Sequence, residues 1–388
     1  MTSLQKKLIH IRRHIHKYPE LGNQEFRTSE YITSILNSAG IKTKKINKTG
    51  VVGILAPYPG AESGRTIALR ADIDALPVEE QTGKSYSSCR KGIMHACGHD
   101  ANTTIVLGAA LLLKKIEKEI NGCVKFIFQP NEESAGGASE MIKSGVLRNP
   151  DVKAIVGIHV NSELPAGSLG IKYGEMMASV DKFTVEIFGG GGHAAYPHKG
   201  KDTILVASEI VRSLQTLVSR KIDPTEPVVI SVGSINGGTR FNVLPEKVTL
   251  TGTVRTLNEG LHKQMPGLIK NFIYGIIRMH YLKLKMQYEV LGCPLRNDKK
   301  ILDICARAGE KVVGKSKIKF IDKPSMGGED FAEYLRSVPG CFLYIGSKRA
   351  GRRNEFSWHH PKFDIDERCL ETGAEILKQV VVEYSGLV

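Results

Sequence analysis

The sequence predicts an α/β protein with a smaller α+β domain inserted into it. Runs of β-branched and aromatic residues alternate with helical runs through the first half, the pattern of a layered α/β architecture. Near residue 180 the texture changes to amphipathic elements in the order β-α-β-β-α-β, that of a split βαβ, ferredoxin-like unit. After about residue 292 the first texture resumes. The expected boundaries are 1–179 and 292–388 for the two parts of the larger domain and 180–291 for the insertion.

The N-terminal MTSLQKKLIHIRRHIHKYPE (1–20) mixes charged and apolar residues at helical spacing and lacks the apolar region of a signal peptide. TIALRAD (66–72), VKFIFQP (124–130) and AIVGIHV (154–160) read as buried strands. TTIVLGAALLLKKIEKEI (103–120), with an apolar front and a charged tail, reads as a helix beginning just after MHACGHDAN (94–102). In the insertion, DKFTVEIFG (181–189) alternates like a half-exposed strand, and Asp202 is placed to N-cap a helix over 203–220. PVVISVGSI (227–235) and KVTLTGTVRTL (247–257) are two more strands, followed by a helix over roughly 258–280 and the strand LKLKMQYEV (282–290). CFLYIGS (341–347) is a further buried strand of the larger domain.

A chain of 388 residues accommodates two domains, and 41% hydrophobic with 24% charged residues is ordinary for a soluble globular protein. No apolar run approaches the roughly 20 residues that span a bilayer, so a cytoplasmic protein without a membrane partner is expected. Seven cysteines, an odd number without a CxxC pair, indicate reduced thiols. The net charge of +14 includes the clusters KSKIK (315–319) and SKRAGRRNE (347–355). The basic residues are otherwise scattered and no base-stacking aromatic module accompanies them, so no specific nucleic-acid partner is expected.

Ligand-type side chains recur at the ends of the predicted strands. Cys97, His99 and Asp100 follow the first, Glu132 and Glu133 the second, and His159 ends the third; His359 and His360 follow CFLYIGS. Open α/β sheets place ligand sites beyond the carboxyl ends of their strands, and thiolate, imidazole and carboxylate suit a borderline-soft divalent ion. Taken singly each feature has a plainer reading: glutamate pairs are ordinarily solvated, and a lone histidine ending a strand is ordinarily structural. A cysteine nucleophile is the competing chemistry; it leaves Glu132, Glu133 and His159 without a part.

Nine segments in order resemble the dimetal amidohydrolase and peptidase family that includes hippurate hydrolase, N-acetyldiaminopimelate deacetylase and the auxin-conjugate hydrolases. They are IRRHIHKYPELGNQEF (11–26), ALRADIDALPVEE (68–80), GIMHACGHDAN (92–102), FQPNEESAGGA (128–138), GIHV (157–160), GGGGHAAYPHKGKD (189–202), GGTRFNVLPEKVTLTGTVRT (237–256), GGEDFA (327–332) and HHPKFDID (359–366). The resemblance implies a metallopeptidase-type catalytic domain, its central mixed sheet flanked by helices, with the insertion as a lid and dimerisation domain. It implies two divalent metal ions (Zn, Mn, Co or Ni) held by Cys97, His99, Glu133, His159 and His359, with Cys97 bridging and His360 on a variable position. Glu132 matches the general base, Asp74 a second active-site acid, and His193 and Asn242 positions that face substrate. Asp72, Asp100 and His95 are candidates for supporting roles.

Metal ions of this kind lower the pKa of bound water from about 16 to about 7. Glu132, outside the ligand set, would take the water proton and pass it to the leaving amine. His193 would donate to the tetrahedral oxyanion, a contribution worth about 3–4 kcal/mol in measured cases. The sequence departs from relatives at Asn102, often histidine there, in the glycine run 189–192, which often carries a lysine, and at Arg240, often small. None of these falls on the implied ligands. The expected function is hydrolysis of the amide of an N-acyl amino acid; a carboxypeptidase or dipeptidase with the same centre is the alternative, and a catalytically silent binding homologue a third. A homodimer or higher homo-oligomer is expected, with hinges near 178–181 and 290–294 that bring His193 to the metals.

Overall fold

The computed structural model describes residues 1–57, 65–351 and 356–386; positions 352–355 of the second basic cluster lie outside the described residues. The chain divides into two compact units, 1–174 with 296–323 and 330–388, and 175–295 with 324–329.

The first unit is built on an eight-stranded mixed sheet. Its strands lie in the order Lys42–Ile46, Gly50–Leu55, Cys123–Gln129, Thr66–Asp72, Ala154–Pro165, Gly340–Lys348, Leu169–Ile171, Ile318–Phe320. Thr66–Asp72 pairs in parallel with both Cys123–Gln129 and Ala154–Pro165, and the last pairs in parallel with Gly340–Lys348. Four adjacent strands therefore present their carboxyl ends along one edge. Register puts Asp72 opposite Gln129, Arg70 opposite Gly157 and Tyr344 opposite His159. These central strands are buried on both faces, which is why they read as continuous apolar runs rather than alternating ones.

The helix His99–Lys115 is buried from His99 through Ala110, packed against the sheet and the helices Ser3–Lys17 and Arg368–Ser385. It starts at His99, four residues before the expected Thr103. Gly98 explains the early start: its φ of 92° lets the chain turn from the Cys97 loop straight into helix. His99, Asp100 and Asn102 look like loop residues in sequence, yet each is buried.

The second unit holds a four-stranded antiparallel sheet in the order Val228–Gly237, Lys247–Thr256, Val180–Phe188, Lys283–Gly292, the ferredoxin-like arrangement. Phe183, Val185 and Ile187 alternate inward on the first of these in sequence, as period-two patterning requires. They pack with Val206, Ile210 and Leu214 of the helix Thr203–Lys221 and with Met265, Ile269 and Ile273 of the helix Glu259–Met279. Asp202 caps the first helix, accepting from the Leu205 N–H at 3.0 Å. No helix among the described residues is long and apolar enough to cross a membrane.

Candidate metal centre

The strand ends of the first unit gather Asp74 and six side chains able to donate to a metal, Cys97, His99, Glu132, Glu133, His159 and His359. Asp74 follows the strand Thr66–Asp72, Cys97 and His99 flank the left-handed Gly98, and Glu132 and Glu133 follow Cys123–Gln129. His159 lies within its strand rather than at its end, because the polar Asn161–Pro165 continues the extended backbone. Two donor triads share Cys97: its sulfur with His99 and His159, and the same sulfur with Glu133 and His359, the donor atoms of each triad lying within 4.8 Å of one another. Glu132 joins His99 and Glu133 in a third such group. Cys97 Sγ is 3.4 Å from His159 Nε2, and His359 Nε2 is 3.5 Å from Glu133 Oε1.

The second nitrogen of each buried imidazole is committed elsewhere, which aims the first at the centre. His99 Nδ1 donates to Asp74, whose carbonyl oxygen and Oδ1 lie 3.0 and 3.1 Å away. His159 Nδ1 donates to the Val160 carbonyl at 2.8 Å. This outer hydrogen bonding fixes tautomer and ring orientation in metal-binding histidines. His99 Nε2 and Glu133 Oε1 are buried, lie 3.9 Å apart and have no hydrogen-bond partner among the described residues. Leaving such atoms unsatisfied costs about 1–3 kcal/mol each, and divalent cations accepting these lone pairs, one at each donor triad, fit this donor set.

Charge in the site is finely opposed. Burial pushes the Cys97 thiol well up, against His99 and with the adverse charge of Glu133. Burial alone would lower His99, but Asp72, Cys97 and the Asp74 hydrogen bond outweigh it and hold its pKa well above the usual value. Burial brings His159 down to about 4, so it is a neutral imidazole with a lone pair to give. Glu133 is raised by burial. Asp72, which burial would raise, is instead lowered by His99, Arg70 and His159. Cation binding would release protons from this cluster, because thiolate and neutral imidazole are the ligating forms.

Several further residues support the site; Asp72 and Asp100 are among the candidates the sequence offers, whereas Glu25, Arg70 and Asp330 are not singled out by it. Glu25, fully buried, accepts from the Asn131 N–H at 3.0 Å and so anchors the turn that carries both glutamates. Asn131 in that turn has a φ of 57°. Arg70 bonds Asp72 and Asp330, each at 2.9 Å, and Asp330 also accepts from Gln129 and from the Ala138 N–H. Asn102 donates to Asp72 Oδ1 at 2.8 Å and accepts from the Val160 N–H at 2.9 Å. Asp100 serves a buried cluster with Arg12 and His16, and His95 is buried with neither ring nitrogen hydrogen-bonded among the described residues. Apart from Arg70–Asp72, these contacts join residues distant in sequence, so no local pattern announces them.

In the second unit, His193 and Asn242 lie together on a two-stranded ribbon, Gly192–His193 against Val243–Leu244, where the Ala194 N–H donates to the Asn242 carbonyl at 3.1 Å. Both side chains are exposed. His193 Nδ1 accepts from the Ala195 N–H at 3.1 Å, so in the neutral ring Nε2 is the donor. Arg240 is exposed.

An open α/β sheet with thiol, imidazole and carboxylate donors converging at its strand ends defines the class: a metal-dependent hydrolase. Residues 68–383 match the family model described as peptidase family M20/M25/M40, and the chain belongs to that family. It is 42% identical over 372 residues to an N-acetyl-L-cysteine deacetylase of Bacillus subtilis, covering 95% of this chain and 86% of that protein. It is 33% identical over 392 residues to thermostable carboxypeptidase 1 of Saccharolobus solfataricus, covering 100% and 97%. A crystal structure of a Bacillus subtilis protein described as a dinuclear metal-binding peptidase of the M20 family superposes with a TM-score of 0.85 at 33% identity, covering 100% of this chain and 99% of that one.

Proposed function

We propose that the protein hydrolyses the amide bond of N-acyl amino acids, releasing a carboxylic acid and an amino acid. The observation that carries this reading is the pair of donor triads sharing Cys97, in a family of amide-bond hydrolases. In it Cys97, His99 and His159 would hold one divalent ion, and Cys97, Glu133 and His359 would hold the other. Such ions act as Lewis acids and make water a nucleophile near neutral pH. The mixed donors admit Zn²⁺, Mn²⁺, Co²⁺ or Ni²⁺.

Glu132, whose Oε2 lies 3.9 Å from His99 Nε2, takes the proton from the attacking water and returns it to the leaving amine. Asp74 holds His99 in the ligating tautomer and also accepts from the Glu133 N–H at 3.1 Å. His193 supplies an Nε2–H to the oxyanion, and Asn242 beside it faces the same substrate. The inserted unit serves as lid and dimerisation domain, and the enzyme acts as a cytoplasmic homodimer; light scattering giving only a one-chain mass would remove the dimer.

The second reading, a carboxypeptidase, is favoured by the carboxypeptidase named among the relatives. A hydrolysis screen on metal-reconstituted protein separates the two, with N-acetyl, N-benzoyl and N-succinyl amino acids beside dipeptides. Turnover of the acyl amino acids supports the first reading, turnover confined to dipeptides replaces it with the second, and turnover of neither sinks both.

A further inference from the structure

We infer that Trp358 is a positioning residue that ties one imidazole from each donor triad to a single backbone carbonyl. The inference rests on the proposed metal centre and adds to it a residue outside the donor set.

Trp358 is the single tryptophan of the chain and is half-buried. Its indole Nε1 donates to the Val160 carbonyl at 3.1 Å, the same oxygen that accepts from His159 Nδ1 at 2.8 Å. A carbonyl oxygen has two lone pairs, and here one orients the ligand histidine while the other holds the indole. The rings also touch directly: His159 and Trp358 meet edge to face, centroids 5.3 Å apart at 83°. Tyr344, opposite His159 in register, lies 6.1 Å from the indole centroid. His159 is thus fixed in both tautomer and tilt by groups that belong to Trp358 or share its acceptor.

The next residue in the chain is His359, of the other triad. It has a φ of 67°, and its side chain is 56% exposed. A non-glycine residue in that region is held there by its surroundings, not by its own preference. The holding contacts are the His359 N–H donating to the Ala96 carbonyl at 2.8 Å and the anchored indole immediately before it. Releasing the indole frees the loop that presents His359 and, in the same step, loosens the ring of His159. Both triads then lose a donor in its ligating position.

The test uses the metal-free full-length protein titrated with Co²⁺, read by calorimetry, by the visible thiolate and d–d absorption and, in the wild type, by tryptophan emission. Trp358→Phe keeps a ring against His159 and removes the N–H. Outer-shell partners of metal ligands typically change affinity 10–100-fold, and W358F is expected to need about tenfold more Co²⁺, with an altered visible spectrum and unchanged circular dichroism. Wild-type emission is expected to fall in step with Co²⁺ uptake. A lowered melting temperature with wild-type Co²⁺ affinity and spectrum would reduce Trp358 to a packing residue and overturn the inference, leaving the metal centre standing. Wild-type emission indifferent to bound Co²⁺ overturns it too. A wild type that binds no Co²⁺, Zn²⁺ or Mn²⁺ removes the metal centre and the inference together. Should W358F misfold, Trp358→Tyr takes its place with the same expectation.

Discussion

His99 turns Nδ1 to Asp74, 3.0 Å from its carbonyl oxygen and 3.1 Å from Oδ1, so Nε2 is the nitrogen that faces Glu132 and Glu133. The carboxylate has a second task, since Oδ2 accepts from the Glu133 N–H. Asp74→Ala removes both and leaves the carbonyl as the sole acceptor for Nδ1. Metal affinity is expected to drop about 10–100-fold, the usual effect of losing such a partner. Competition against a chromophoric chelator measures it; wild-type affinity would reduce Asp74 to a bystander.

Asn102 acts on the scaffold beneath the donors. Its amide spans Asp72 Oδ1 and the Val160 N–H, and it is fully buried. Asn102→Ala leaves an acceptor and a donor unsatisfied in the interior, a loss of about 2–6 kcal/mol at about 1–3 kcal/mol per orphaned group. Urea denaturation of the metal-free protein reads the loss directly. A change under about 0.5 kcal/mol, the range of ordinary surface substitutions, would show that these two bonds are easily replaced.

The donors were legible because they are chemically distinctive and sit next to strands that announce themselves by β-branched runs. Cys97, the pair Glu132–Glu133 and His159 stand out as candidates without knowing how the sheet is ordered, while the choice between the two glutamates comes from the family resemblance. The frame around them could not. Asn102 and Trp358 meet at Val160 from positions 58 and 198 residues away, and neither has a local pattern that points there. The helix begins earlier than hydrophobic periodicity predicts for a related reason. His99, Asp100 and Asn102 are polar because their partners are buried acids, arginine and backbone, whereas hydrophobic periodicity reads polar residues as solvated loop. The continuation of the His159 strand through Asn161–Pro165 escaped in the same way.

Gly98 sits where the Cys97 loop becomes helix. Its φ of 92° is unfavourable for any side chain, and a Cβ there would meet Val160 Cγ2 at 2.5 Å. Left-handed backbone costs an alanine about 1–2 kcal/mol and overpacking adds about 1–3 kcal/mol. Gly98→Ala is therefore expected to destabilise by about 2–5 kcal/mol and to weaken metal binding, because Val160 frames His159. Calorimetric unfolding checks the first and Co²⁺ titration the second. An unchanged melting temperature would contradict the crowding at this turn.

His95 makes stability depend on acid. Burial lowers its pKa to about 4, against about 6.5 in an unfolded chain. Between those values the unfolded state binds a proton that the folded state refuses. Stability is therefore fully present above pH 6.5 and falls as pH drops towards 4, by up to about 3 kcal/mol at the lower end. His95→Leu removes this linkage, so the metal-free variant should lose less stability than wild type between pH 7 and pH 5. Parallel slopes in urea midpoints across that window would mean that His95 is protonated in the fold.

Glu132 and Glu133 both place a carboxylate oxygen 3.9 Å from His99 Nε2, so distance to that ring does not separate them. The neighbours do. Glu133 also stands 3.5 Å from His359 Nε2 and completes the triad with Cys97, whereas Glu132 does not belong to either Cys97 triad. Glutamine keeps size and a lone pair but cannot accept the water proton. Glu132→Gln is expected to lower kcat by about 10²–10⁴, the range of general acid–base contributions, with KM within a fewfold of wild type and both metal equivalents retained. Glu133→Gln is expected to lose metal first and activity as a consequence, partly restored by excess metal. Metal analysis alongside kcat and KM distinguishes the two patterns. If Glu132→Gln sheds metal while Glu133→Gln keeps it and loses only kcat, the two glutamates exchange roles, and the proton shuttle belongs to the residue facing His359.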